Sequence, residues 1–170
     1  INQATIYNLK DGSLFKYNDN LIIALYSGDV VAVKVENISE PKIVWHRKIS
    51  EGVVTSFVSQ IDNSYIGVKL GNKNYIHKLE NSSGHNEWKQ EIFDTPYDIS
   101  FAGGGFLLVS GGRGLVQVLL KSDGRSLARE YLGATVLKPL WYKNKIFIPV
   151  ASGSIYIFER NFGATRSAMS

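Results

Sequence analysis

The 170-residue sequence contains no cysteine. Disulfides, thiolate metal sites and cysteine nucleophiles are therefore excluded, although the compartment is not fixed by this alone. Histidine is sparse. His46, His77 and His85 stand nowhere at a metal-ligand spacing such as His-x-x-x-His. All three are expected at surfaces or rims, with His46 on the opposite strand face from its neighbour Trp45. Carboxylates are few and dispersed. Asp11, Asp29 and Asp123 adjoin turn glycines, where an aspartate commonly bonds its own backbone. No calcium loop with alternating oxygen ligands occurs, and no Gly-x-Ser-x-Gly elbow. No window approaches eighteen apolar residues, so no transmembrane segment is expected. The net charge of +4 comes from 19 basic and 15 acidic residues scattered along the chain, without a Lys/Arg run to track a phosphate backbone. Nucleic acid is therefore not an expected partner. The sequence opens at Ile1 without a signal-peptide pattern, which leaves secretion open.

What the sequence does have is repetition. The stretch "VAVKVENISEPKIVWHRKI", residues 31–49, is an alternating apolar run, a polar turn, and a second run closed by tryptophan. The same order returns in "NYIHKLENSSGHNEWKQEI", residues 74–92, with Trp45 and Trp88 43 residues apart. A third copy, "LVQVLLKSDGRSLAREYL", carries Ala128 where the tryptophan would stand, and a fourth, "SIYIFERNFGATRSAMS", loses its last strand. Upstream of each copy lies a strand, a glycine turn and a strand, with turn glycines Gly28, Gly71, Gly112 and Gly153 spaced 43, 41 and 41 residues. A further β-prone piece precedes each: "SLFKY", "VVTSFV", "YDISF" and "VLKPLWY". Four short strands in forty-odd residues are the size of one propeller blade. The pieces are rich in Val, Ile, Tyr and Phe, and no amphipathic helix is evident. Pro149 falls inside a predicted strand and suggests a bulge or a missing ladder bond.

The unit "GDVVAVKVENISEPKIVWHRKI" resembles the repeat of the quinoprotein-like (PQQ-type repeat) β-propeller family, and "LKPLWYKNKIFIPVASGSIYIFER" resembles the first three strands of such a blade. The resemblance spans residues 13–160. It implies that Trp45 and Trp88 dock between neighbouring blades. Ala128 departs from the pattern, and the fourth unit has no equivalent. The family includes quinone-dependent dehydrogenases and non-enzymatic scaffolds such as the propeller lipoprotein of outer-membrane β-barrel assembly. Fold membership does not choose between them. The dehydrogenases hold calcium and a catalytic carboxylate in the central channel, and no residue here stands out for either duty.

Two further features have plain readings. The cluster "FAGGGFLLVSGGRG", residues 101–114, is flanked by strands and followed by no lysine, so tight hairpin turns explain it better than a phosphate loop. Asn37-Ile38-Ser39 and Asn81-Ser82-Ser83 match the glycosylation tripeptide but read as residues of exposed turns.

The expectation is an all-β single domain or propeller fragment: a β-propeller array of about four four-stranded antiparallel blades, forming either a small closed ring or an arc of a larger propeller. The units are residues 13–50, 53–93, 97–132 and 136–160, and residues 4–9 ("ATIYNL") form a possible closing strand beside residues 154–158. The expected role is a non-enzymatic scaffold for protein partners, or for propeller blades of another chain, without a cofactor. Tyr26, Arg113, Trp141 and Tyr142 are candidate partner-binding anchors. A fragment of a quinone-dependent dehydrogenase and a small-ligand or glycan-binding propeller are the competing expectations. A cell-envelope or periplasmic setting follows from the resemblance.

Overall fold

The computed structural model describes residues 9–35, 41–143 and 145–159, with the side chains of residues 9–13 left aside. The described chain is all β. Its fifteen strands form four antiparallel sheets, each an uninterrupted meander. The first sheet contains β1 (Leu9–Tyr17), β2 (Asn20–Leu25), β3 (Asp29–Lys34) and β4 (Lys42–Lys48). The second contains β5 (Val53–Ser59), β6 (Asn63–Leu70), β7 (Lys73–Glu80) and β8 (Asn86–Ile92). The third contains β9 (Pro96–Phe101), β10 (Phe106–Gly111), β11 (Leu115–Leu120) and β12 (Ser126–Tyr131). The fourth has β13 (Leu140–Tyr142), β14 (Lys145–Pro149) and β15 (Ile155–Glu159). No helix long and apolar enough to cross a membrane occurs among the described residues.

The sheets stack face to face as propeller blades in an open arrangement. First strands gather on the inner side, where β1 lies against β5 and β5 against β9, and each fourth strand is a sheet edge. One face of each blade packs on the opposite face of the next, which gives three apolar layers. Ile22, Ala24, Val30 and Ala32 of the first blade meet Ile66, Val68 and Leu79 of the second. Tyr65 and Ile76 meet Leu107, Val109 and Leu119 of the third. Leu108, Val116 and Val118 meet Ile146, Ile148 and Val150 of the fourth. Central strands buried on both faces explain the near-continuous burial of β10 and β11, whereas edge strand β12 exposes all six residues.

The two ends of the stack face solvent. The outer face of the first blade presents Ile23, Leu25, Val31, Val33 and Ile43 around an open hollow. The last blade exposes Ile155 and Ile157. Of the two arrangements the sequence allowed, the described residues therefore adopt the arc. Most of the closing segment lies outside the described residues. Leu9 does not belong to the last blade, because it pairs with Leu25 in the first.

Local details correct the sequence reading. His77 is fully buried rather than at a rim. The tripeptide 81–83 is a turn, as expected, with Ser82 exposed, but Asn81 itself is buried at 1% exposure. Asn37–Ser39 lies outside the described residues. Asp123 accepts a bond from the Arg125 backbone N–H at 2.9 Å, but Asp29 bonds side chains instead, those of Ser27, His46 and Lys48. In the third blade the left-handed turn residue is Gly114 (φ 93°), two positions after Gly112. Pro149 ends β14 without a register shift. The interruption falls on the facing chain, where Val136 bridges Val150 and regular pairing resumes only at Leu140, after Pro139.

Candidate functional site

Each blade has two ends. The β2–β3-type turns and the links between blades lie at one, and the β1–β2-type and β3–β4-type turns lie at the other. Tyr26 and Arg113 belong to the first end, in the second-to-third-strand turns of blades one and three. Trp141 and Tyr142 close the short β13 strand at the opposite end. Trp141 leans on the third blade: a Cβ built on Gly103 would lie 3.1 Å from its indole Nε1 and Cε2. Tyr142 is exposed, with Lys143 Nζ 5.2 Å from its ring centroid. The four anchors therefore divide into two separate pairs.

Around the first pair runs an open groove across blades one to three. It comprises two adjoining hollows of about 540 and 610 Å³ that share Lys69, Gly71, Thr95 and Tyr97. Tyr26 stands at one end and Arg113 at the other. The sequence reading missed Tyr97, which is 58% exposed and lines both hollows. A side chain on Gly112 would collide with the Tyr97 ring, so this glycine is needed for close approach. The glycine cluster "GGRG" is thus the signal that could have located the groove.

The Arg113 end is held by Asp94, 4% exposed on the link between blades two and three. Its carboxylate accepts the Arg113 backbone N–H at 2.8 Å, the Arg113 Nε–H at 3.2 Å and the Thr95 N–H at 2.8 Å. A charge buried this deeply is tolerated because three donors surround it. The same contacts fix the hairpin that carries Arg113. Lys69 has no ion-pair partner among the described residues, and Asn74 Oδ1 on the groove floor and Thr55 Oγ1 are buried without a hydrogen bond. Near the Tyr26 turn, burial raises the Asp29 carboxyl pKa, but bonds from Ser27 and His46 and the Lys48 ammonium outweigh this and hold it below the ordinary value. No group of three His, Asp or Glu side chains among the described residues is placed to hold a metal.

At the opposite end, the tryptophans join the blades. Trp45 in β4 reaches over the β7–β8 turn, where its indole N–H donates to the Asn81 carbonyl at 3.1 Å. A Cβ on Gly84 would sit 2.6 Å from the Trp45 ring. Trp88 in β8 repeats this on the β11–β12 turn, with its N–H on the Lys121 carbonyl at 3.0 Å and its ring 2.7 Å from a Cβ on Gly124. Both glycines have positive φ, 70° and 74°, so conformation and close approach each require them. Asn81 braces its turn: Nδ2 donates to the Gln60 and Ile61 carbonyls at 2.7 and 3.1 Å, and Oδ1 accepts from Ser64 at 2.6 Å.

No family model matches the chain, and no curated protein matches it by sequence. Solved structures resemble it in fold. A computationally designed protein, Ika4, matches with a TM-score of 0.75 at 10% identity over 92% of this chain and 95% of that one. BamB from Moraxella catarrhalis matches with a TM-score of 0.69 at 21% identity over 91% of this chain and 46% of that one. A chain in the structure of the mitotic checkpoint complex matches with a TM-score of 0.71 at 13% identity over 89% of this chain and 50% of its own. A designed Ika8 protein is matched over 44% of its length. The chain thus spans about half the length of several structures it resembles and nearly all of one, and what it shares with each is the propeller fold.

Proposed function

We propose that the chain is a non-enzymatic β-propeller scaffold that binds a partner protein through the groove across its first three blades. The observation that carries this reading is the pairing of two exposed tyrosine rings, Tyr26 and Tyr97, with the cations Lys69 and Arg113 on a rigid hairpin floor. Tyrosine and arginine on pre-ordered backbone are the residue types that dominate binding energy in protein interfaces. Lys69 suits an acidic side chain of the partner. The resemblance to propellers of envelope assembly directs the search to a bacterial cell-envelope protein.

The test is selection from a displayed peptide library on the wild-type chain, with counter-selection on the Tyr26→Ala, Tyr97→Ala double variant. Enriched acidic peptides that lose binding to the double variant and weaken against Lys69→Ala support the reading. Saturable binding of pyrroloquinoline quinone with calcium, coupled to dye-linked oxidation of an alcohol or sugar, would overturn it in favour of a dehydrogenase fragment. Glycan-array binding abolished by Tyr97→Ala would overturn it in favour of a glycan-binding propeller.

A further inference from the structure

The outer ladders of the first three blades share one irregularity. Trp45 stands opposite Ala32, Trp88 opposite Lys78 and Ala128 opposite Val118, each immediately before a register shift in its ladder. The backbone device that presents the tryptophan is therefore kept at the third joint, where the side chain is a single methyl group. Beside that methyl group, between the blades, lies a hollow of about 150 Å³. Leu108, Val116 and Val118 line it from the third blade, and Ile146, Ile148 and Phe158 from the fourth. Ala128, Arg129, Glu130 and Glu159 complete the lining.

We infer that this joint is a socket for a tryptophan side chain carried by a partner protein. Three observations select that occupant. The two positions equivalent to Ala128 in the same chain each carry an indole packed into the joint, and the third ladder keeps the register shift that presents one. Six of the lining side chains are aliphatic or aromatic and come from both blades, an apolar wall against which an aromatic ring packs favourably. The mouth opens beside β12, an edge strand with every residue exposed, so an extended segment can reach it from outside. Glu130 forms no ion pair among the described residues and can accept the indole N–H. The socket is remote from the groove of the proposed function and does not depend on it.

The probe is N-acetyl-tryptophanamide, titrated into the full chain and followed by methyl NMR of Leu108, Val116, Val118, Ile146 and Ile148. Saturable shifts at these methyls, much weaker with N-acetyl-leucinamide and absent in Ala128→Trp, are the expected result. Ala128→Leu, which half-fills the hollow, should weaken the response at least several-fold and guards against misfolding of the larger variant. Tyr26→Ala should leave the response unchanged and so separates this site from the groove. No shift up to the solubility limit of the probe overturns the inference, as does an equal response in Ala128→Leu. Binding of free indole without binding of the amide also overturns it, by assigning the hollow to a small aromatic molecule instead of a protein side chain.

Discussion

The first two joints carry a tryptophan where the third carries alanine, each on a ladder with the same register shift. At Trp45 and Trp88 an indole bridges from the outer strand of one blade to the turn of the next. At Ala128 no indole bridges from β12, and the blades meet through an aliphatic layer joined by Trp141 and Phe158 of the fourth blade. The ladder irregularity that aims the tryptophan survives without it. In stacked repeats, stability is roughly a sum of each unit and its contacts with neighbours. The blade geometry is therefore set within each sheet by register and turn, and the indole adds strength to the joint without defining it.

The largest test of that comparison is removal of the best-buried ring. Trp45 is 7% exposed, and its truncation to alanine should cost about 3–5 kcal/mol. Trp88 is only half-buried, so the same change should cost visibly less. At ~2–4 °C per kcal/mol for a chain of this size, thermal melts resolve the order. Equal and small losses would mean that the indoles cover the joints without strengthening them.

A buried polar pair sharpens the comparison by pH. His77 and Gln117 occupy matching positions, each seven residues before the turn glycine. Asn86 lies 3.2 Å from His77 Nδ1, and Gln117 donates to Ser126 at 2.9 Å. Burial, reinforced by Lys89 and opposed by the Asn86 contact, lowers the His77 pKa from 6.5 to about 4. Between those values the unfolded chain binds a proton that the folded chain refuses. Stability is thus full above pH 6.5, falls as the pH drops towards 4, and gains no further dependence from this group below that. The loss is on the order of 3 kcal/mol. His77→Gln, which makes the second blade copy the third, should flatten the profile. An unchanged slope between pH 6.5 and 4 would assign it to other groups.

These features divide by how far they act along the chain. Blade count and strand order were legible because alternation and turn glycines are local, and the tryptophan spacing marked the joints directly. His77 and Asn81 were misjudged for a physical reason. Both lie in a strand or turn that looks half-exposed in isolation: blades stacked on both faces cover the strand of His77, and the Asn81 side chain is enclosed by the β5–β6 turn it bonds, about twenty residues earlier. Tyr97 was missed for a similar reason, since its exposure depends on a glycine fifteen positions later. The groove pairs Tyr26 with Arg113 only because the blades stack, whereas Trp141 and Tyr142 share a strand end that the stacking places at the opposite side.

The turn glycines separate backbone strain from ring contact. Gly133 has φ 70° with nothing within 4 Å of where a Cβ would stand, so Gly133→Ala should cost only the left-handed conformation, about 1–2 kcal/mol. Gly124 has nearly the same φ but lies under Trp88. Gly124→Ala should therefore cost more than Gly133→Ala, and the excess should vanish in a Trp88→Ala background. An excess that persists there would show that the alanine strains the turn itself and that the indole seat is incidental.

The smallest expected effect is a gain. Ala128→Trp restores the side chain that the third joint lacks and fills a hollow of about 150 Å³. Filling an apolar cavity commonly adds about 0.5–2 kcal/mol, whereas overpacking a closed core costs about 1–3 kcal/mol. The sign therefore reports whether the third joint keeps the seat that the first two use. The register shift at Val118 and the open mouth beside β12 both favour a ring that enters without displacing its neighbours, so a rise in melting temperature is expected. The rise should be accompanied by a blue-shifted emission from the new tryptophan as Leu108, Ile146 and Phe158 enclose it. A lower melting temperature with solvent-like emission would mean that the backbone plan is retained at this joint but its hollow is shaped for something other than an indole.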